Sequence, residues 1–167
     1  MIQVYTGKGK GKTTAALGLA IRAAGAGLKV YIGQFIKGKE YSELKALKKF
    51  KNIKVERFGR GCFIKKTPAK KDIELANRGL KRIREILVKR IYDLVILDEI
   101  NIALHLGLLD LKDVIQVIKK TPKKTELVLT GRHAHRKIIE IADLVSDIKE
   151  IRHYYKKGVI ARRGIEF

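Results

Sequence analysis

Thr6-Gly7-Lys8-Gly9-Lys10-Gly11-Lys12-Thr13-Thr14 stands between an apolar run, Ile2 to Tyr5, and the alanine-rich stretch Ala15 to Ala24. The run reads as a β-strand and the stretch as a buried helix. Strand, glycine-rich loop and helix, in that order, are the context a phosphate-binding loop needs. Glycines let successive backbone N–H groups turn inward around an anion. The helix that follows aims its positive end, about half a unit charge, at the same spot. Gly7, Lys8, Gly9, Lys10, Gly11, Lys12, Thr13 and Thr14 are therefore the candidate phosphate ligands. Lys12 reaches the outer phosphates, and Thr13 has the hydroxyl that Mg²⁺ prefers. The spacing is Thr-x-x-x-x-Gly-Lys-Thr, with Thr6 where such loops begin on glycine.

The rest of the chain alternates in the same way. Val30 to Ile36 reads as a second, continuously apolar strand, and Ser42 as the N-cap of a short helix ending near Phe50. Ile53 to Phe58 is a third strand. A long helix from about Asp72 to Lys89 places Ile73, Ala76, Leu80, Ile83 and Leu87 on one face. Tyr92 to Glu99 is a fourth strand with an acidic end. Asp110 caps a helix to Lys120, with Leu111, Val114, Ile115 and Ile118 inward. Leu127 to Thr130 is a fifth strand, His135 to Ala142 a helix, and Leu144 to Tyr155 with Val159 to Phe167 read as late strands. Strands alternating with helices predict one α/β domain over 1–167, with a mostly parallel sheet covered on both faces. In such sheets ligands sit at the carboxyl ends of strands. The informative loops fall there: Gly7 to Lys12, Phe35 to Gly38, Gly59 to Phe63, Asp98-Glu99 and Thr130 to His133.

Each of these strand ends suggests chemistry. Four apolar residues ending in Asp98-Glu99 form a second nucleotide-site signature, since a carboxylate there holds Mg²⁺ directly or through water. Asp98, Glu99 and Thr13 are the candidate metal ligands. Glu99 is equally placed to act as the base of an ATPase. Lys37 suits phosphate or a substrate carboxamide, and Arg132 suits bidentate phosphate contact. His133 and His135 lack further Cys or His partners for a zinc site. Cys62, the only cysteine, lacks a partner for nucleophilic chemistry.

Composition narrows the setting. The chain has 167 residues, 38 Lys and Arg against 17 Asp and Glu, and a net charge of +21. Hydrophobic residues make up 46%, enough for a core. Neither a signal peptide nor an apolar span is expected, and a single cysteine fits a reducing cytoplasm. The charge invites a nucleic-acid-associated P-loop ATPase as the rival reading. Against nucleic acid, lysine is spread evenly and no basic tail or aromatic-interleaved basic stripe occurs. A small-molecule kinase would want an acceptor site and lid that the sequence does not display.

With these residues in view, the chain resembles the P-loop type of ATP:corrinoid adenosyltransferases, also called cob(I)alamin adenosyltransferases. The resemblance is carried by Thr6-Gly7-x-Gly9-Lys10-Gly11-Lys12-Thr13-Thr14-Ala15-Ala16, Gln34-Phe35-Ile36-Lys37-Gly38, Leu97-Asp98-Glu99, Thr130-Gly131-Arg132, Gly158-Val159 and Gly164-Ile165-Glu166-Phe167. It implies a RecA-like P-loop fold. It also implies transfer of the 5′-deoxyadenosyl group of ATP to Co(I) of a reduced corrinoid, with triphosphate released. In that reading Gly7 to Thr13 bind the triphosphate, Lys12 neutralises it, and Thr13 with Glu99 position Mg²⁺. The resemblance further implies a homodimer and an acidic flavodoxin-like reductant, which a basic surface suits. This chain has Lys8 where better-known members have asparagine. Its third-strand loop reads Gly61-Cys62-Phe63-Ile64, leaving Phe63 to stand for an aromatic pair that contacts the corrinoid. A segment that precedes the first strand in some members, and covers the corrinoid, is not expected here.

Overall fold

The computed structural model describes residues 1–38, 41–60 and 67–166. The chain runs β1 (Ile2–Thr6), α1 (Lys12–Gly25), β2 (Val30–Phe35), α2 (Ser42–Leu47), β3 (Ile53–Phe58), α3 (Lys70–Lys89), β4 (Leu94–Asp98), α4 (Ile100–His105), α5 (Leu111–Lys119), β5 (Glu126–Thr130), α6 (Arg136–Ile141) and β6 (Leu144–Asp147). One sheet of six strands has the order β3-β2-β4-β5-β1-β6, and every pairing is parallel. β5 lies between the strand that feeds the glycine loop, β1, and the acidic strand, β4.

Strand periodicity sorts the core into two layers. Val30, Ile32, Leu94, Ile96 and Val128 face α1 and α2, where Ala16, Leu17, Ala20, Ala23, Leu44 and Leu47 meet them. Tyr31, Phe35, Val95, Leu97, Leu127 and Leu129 point to the opposite face, against α3, α4, α5 and α6. Successive strand residues alternate faces, so each buried strand supplies both layers. On α3 the buried stripe is Ala76, Leu80, Ile83, Ile86 and Leu87. A leucine or isoleucine so placed contributes about 2 kcal/mol relative to exposure. Ile73, at the start of α3, is 39% exposed and does not join that stripe. On α5 Val117 is buried alongside Val114 and Ile118, while Ile115 is half-buried. Asp110 caps α5 as its spacing predicts, accepting from Lys112 N at 2.7 Å.

Four expectations need correction. Tyr41, not Ser42, occupies the cap position of α2. β4 ends at Asp98, because Glu99 turns into the left-handed region (φ 62°) and starts α4, a helix not expected. The late strands reduce to β6. Its register ends with Asp147 beside Thr6, the last residue of β1, so no neighbouring strand remains to pair with. Beyond it, Ile148 N still donates to Thr6 O at 2.9 Å, and Gly9 N donates to Ile148 O at 2.7 Å. The chain thus becomes a strap over the glycine loop. Tyr154–Lys157 form a 3₁₀ turn rather than a sheet face. Among the described residues, no helix is long and apolar enough to cross a membrane.

Candidate nucleotide site

The same period of two that builds the core builds the site. Gln34 and Asp98 are register partners in β2 and β4, on the face turned to α1. Thr130, two residues after Val128, shares that face on β5. All three are fully buried at the carboxyl ends of their strands. The glycine loop brings the N-terminus of α1, with Thr13, over the same spot.

Asp98 is the hub. Its Oδ1 accepts from Thr13 Oγ1 at 2.9 Å and from Thr130 Oγ1 at 2.7 Å. Its Oδ2 accepts from Lys37 Nζ at 2.8 Å and from Gln34 Nε2 at 3.3 Å. Two oxygens with about four lone-pair positions are thereby fully used. Lys37 Nζ also reaches Thr13 Oγ1 at 3.4 Å. Burial by itself lowers the Lys37 pKa, but the charge and hydrogen bond of Asp98 outweigh it and lift the ammonium above its ordinary value.

Glu99 is placed differently. Its backbone N–H donates to Thr130 Oγ1 at 2.9 Å, while its carboxylate receives no hydrogen bond from the described residues. Burial first, then the neighbouring Asp98 charge, pushes its pKa up, although Lys37, Lys12 and Arg132 oppose this. Lys12 is buried and donates to Gly9 O at 2.5 Å. Burial first, then Arg132, holds its pKa below the lysine norm, against the pull of Glu99 and Asp147. Lys12, Glu99 and Arg132 therefore share one electrostatic neighbourhood.

Three non-glycine residues with positive φ, Ile36 (67°), Glu99 (62°) and His133 (59°), sit just past the carboxyl ends of β2, β4 and β5. Left-handed backbone at such residues costs of order 1–3 kcal/mol each and clusters where a site demands it.

Not every loop residue turns inward. Lys10 points to the C-terminal segment, donating to Tyr154 Oη at 2.7 Å and to Glu166 Oε1 at 2.8 Å. Tyr154 also bonds Glu166 directly. Lys8 and Thr14 are exposed, and Lys8 adds to the charge around His133. His133 stacks on His105 with ring centroids 4.0 Å apart, and His135 caps α6 by accepting from Lys137 N at 3.1 Å. Cys62 and Phe63 lie outside the described residues.

Gln34 and Thr130 stood in the quoted motifs without a role of their own, and Asn101 was not singled out from the sequence. Counting by two from buried Ile32, Ile96 and Val128 would have placed Gln34, Asp98 and Thr130 together. Asn101 lies on the unexpected α4 and donates to Gly131 O at 3.4 Å. Among the described residues, the buried acceptors Gln34 Oε1 and Asn101 Oδ1 find no hydrogen-bond partner.

The donor set fits a hard cation. Thr13 and Glu99 offer only oxygen, while Asp98, with its lone pairs already used, orients the Thr13 hydroxyl; among the described residues the Glu99 carboxylate receives no hydrogen bond, and Gln34 Oε1 is left open to a bridging water.

Comparison with known proteins places the chain among relatives of one family. The family model described as "ATP:corrinoid adenosyltransferase BtuR/CobO/CobP" matches residues 1–167. Three corrinoid adenosyltransferases align with the whole chain. That of a Sinorhizobium species is 35% identical, with 80% of its own length covered. That of Escherichia coli K12 is 34% identical, with 85% covered. That of Pseudomonas aeruginosa is 36% identical, with 83% covered. Among solved structures, a KaiC-like protein from Pyrococcus horikoshii superposes with a TM-score of 0.54 at 18% identity, over 90% of this chain and 74% of that one. This second likeness concerns the fold alone. Nothing in these relatives supports a nucleic-acid-associated ATPase.

Proposed function

The chain belongs to the ATP:corrinoid adenosyltransferase family, and from that premise we propose how its residues divide the work. It is an enzyme that transfers the adenosyl group of ATP to a reduced corrinoid. Co(I) of the corrinoid supplies an electron pair to the ribose C5′. A cobalt–carbon bond forms, the C5′–O bond breaks, and triphosphate leaves with that bond's electrons.

The chemistry needs a place for a highly charged leaving group and an in-line approach. We assign the leaving group to the loop Gly7 to Thr13. Lys12, with Arg132 beside it, offsets the charge that develops on the departing oxygen, an effect of preorganised electrostatics. Lys37 is fixed by Asp98 and presents its charge from the β2 side. Thr14 and Lys8 border the loop mouth. Holding the ribose against the acceptor is an orientation effect. Thr13 and Glu99 would hold Mg²⁺, with Asp98 fixing the Thr13 hydroxyl. When bound, that ion would neutralise part of the triphosphate charge. Phe63 is the proposed contact to the corrinoid. Residues 1–167 act as one catalytic domain, in the cytoplasm, as a homodimer. The reductant is an acidic flavodoxin-like protein, for which the surplus of Lys and Arg gives the charge complementarity.

The observation that carries the assignment is the Asp98 node, which joins the glycine-loop helix, β2, β4 and β5 through Thr13, Lys37, Gln34 and Thr130. The test is an anaerobic incubation with Mg-ATP and chemically reduced corrinoid. Triphosphate and a light-sensitive alkylcobalt spectrum are expected. Lys12→Ala should lower kcat by at least about 10²-fold, the scale of a lost transition-state donor, with an unchanged circular dichroism spectrum. ADP and phosphate formed independently of corrinoid would overturn the reading.

A further inference from the structure

At the outer edge of the sheet, on the far side of the Lys37 loop from Asp98, lies an open cleft of about 520 Å³. Its walls are the free edge of β3 and the outward face of α3, with Gly38 and Gly59 at its upper end. Those two glycines bring the loops after β2 and β3 into contact: a Cβ on Gly38 would strike the Arg60 carbonyl, and one on Gly59 the Ile36 carbonyl. The cleft thus begins one residue beyond Lys37, and consecutive Cα atoms are about 3.8 Å apart.

Its charge is one-sided. Arg57, Arg78 and Arg82 line it against a single acid, Glu56. That acid is already engaged, by Arg82 through contacts of 3.1–3.3 Å and by Lys54 at 3.3 Å. Arg57 Nη1 donates to Gly38 O at 2.9 Å, which aims the guanidinium along the cleft without neutralising it. Arg78 has no acidic partner among the described residues. Two guanidinium charges are therefore presented to one cavity that holds no free acid among the described residues. Planar, forked donors of this kind match a phosphate ester.

ATP does not account for this cleft, because its phosphates are assigned to the glycine loop across the β2 loop. The other substrate does. A complete corrinoid such as cobalamin carries one phosphodiester in the side chain that bears its nucleotide, whereas cobinamide lacks that phosphate. Resting on the adenosyl-transfer reading, we propose that the β3–α3 cleft binds the phosphodiester of the corrinoid side chain through Arg78 and Arg57. The enzyme then favours complete corrinoids over phosphate-free ones by binding rather than by chemistry.

The experiment measures KM for cob(I)alamin and for cob(I)inamide under anaerobic conditions at saturating Mg-ATP. The wild-type protein should show the lower KM for cobalamin. Arg78→Ala should raise the ratio of the cobalamin KM to the cobinamide KM about fivefold, as expected for one partly exposed charge-assisted contact. Arg78→Glu should raise it further, and Arg57→Ala should move it in the same direction. Arg78 is exposed on a helix, so these variants keep the fold. A ratio that stays at the wild-type value in both Arg78 variants overturns the proposal, even with both acceptors adenosylated. Absence of alkylcobalt product from either acceptor in the wild-type protein would overturn the transfer reading and this proposal together.

Discussion

Asp98 holds a full set of hydrogen bonds while its side chain is 1% exposed, and its one charged partner is Lys37. A buried ion pair is weak evidence of net stability, but removing one member leaves the other charge uncompensated, at a cost of 3–5 kcal/mol in typical cases. Lys37→Met should therefore lower the free energy of unfolding by roughly 3 kcal/mol, read from the urea midpoint. A loss below about 1 kcal/mol, the worth of a single ordinary hydrogen bond, would mean that Thr13, Thr130 and Gln34 suffice. Glu99 presents the converse case. Burial, then Asp98, raises its folded pKa above the ordinary 4.5. Its stabilising contribution is then complete below about pH 4.5 and is lost as pH rises through the folded value. Glu99→Gln should accordingly melt higher than wild type at neutral pH in the presence of a chelator. The advantage should shrink to nothing near pH 4.5. A difference independent of pH would assign the gain to packing instead.

The strands were legible as elements, because short β-branched and apolar runs such as Val30 to Ile32 and Leu94 to Leu97, bounded by turn residues and alternating with helical patterns, suit a sheet covered on both faces. The glycine loop was legible because strand, glycines and helix follow one another directly. Two features were not. α4 begins at a left-handed Glu99, and no local propensity announces a helix there; it forms because Ile100 and Ala103 complete the layer against the sheet. The segment after β6 carries Ile151, Ile160 and Ile165, β-branched residues that suit a strand, yet they are exposed because β1 is too short to pair with them. What that segment does instead is hold the glycine loop from outside. Gly9 has an ordinary φ, but a Cβ there would stand 2.7 Å from both Ile148 O and Lys149 O. Gly9→Ala is therefore a steric test of the strap, free of backbone preference. It should lower stability by about 2 kcal/mol, a typical overpacking cost, and weaken ATP binding in parallel, measured by melting and by nucleotide titration. Wild-type values for both would mean that the strap merely lies beside the loop.

For the whole molecule the governing quantity is the surplus of 38 Lys and Arg over 17 Asp and Glu. Even if every acid found a base, a net charge of +21 would remain, and self-repulsion at this level destabilises the compact state. The ion pairs do not offset it. Arg136–Glu140, Lys71–Glu74, Lys156–Glu150 and Arg84–Asp113 are solvent-facing, and exposed pairs of this kind are worth about 0–1 kcal/mol each. Lys37–Asp98 is buried and largely out of reach of salt. Screening should therefore remove more repulsion than attraction. Raising sodium chloride from about 0.01 M to about 0.15 M shortens the Debye length from about 30 Å to about 8 Å. The melting temperature should climb across that interval and level off beyond it. An anion seated in the glycine loop would mimic the effect, so Lys12→Ala is the control. A similar climb in that variant marks general screening, whereas a climb seen only with Lys12 present marks a bound anion. A melting temperature that falls with salt would mean that surface pairing outweighs repulsion, and that the charge surplus is better matched by its own acids than their numbers imply.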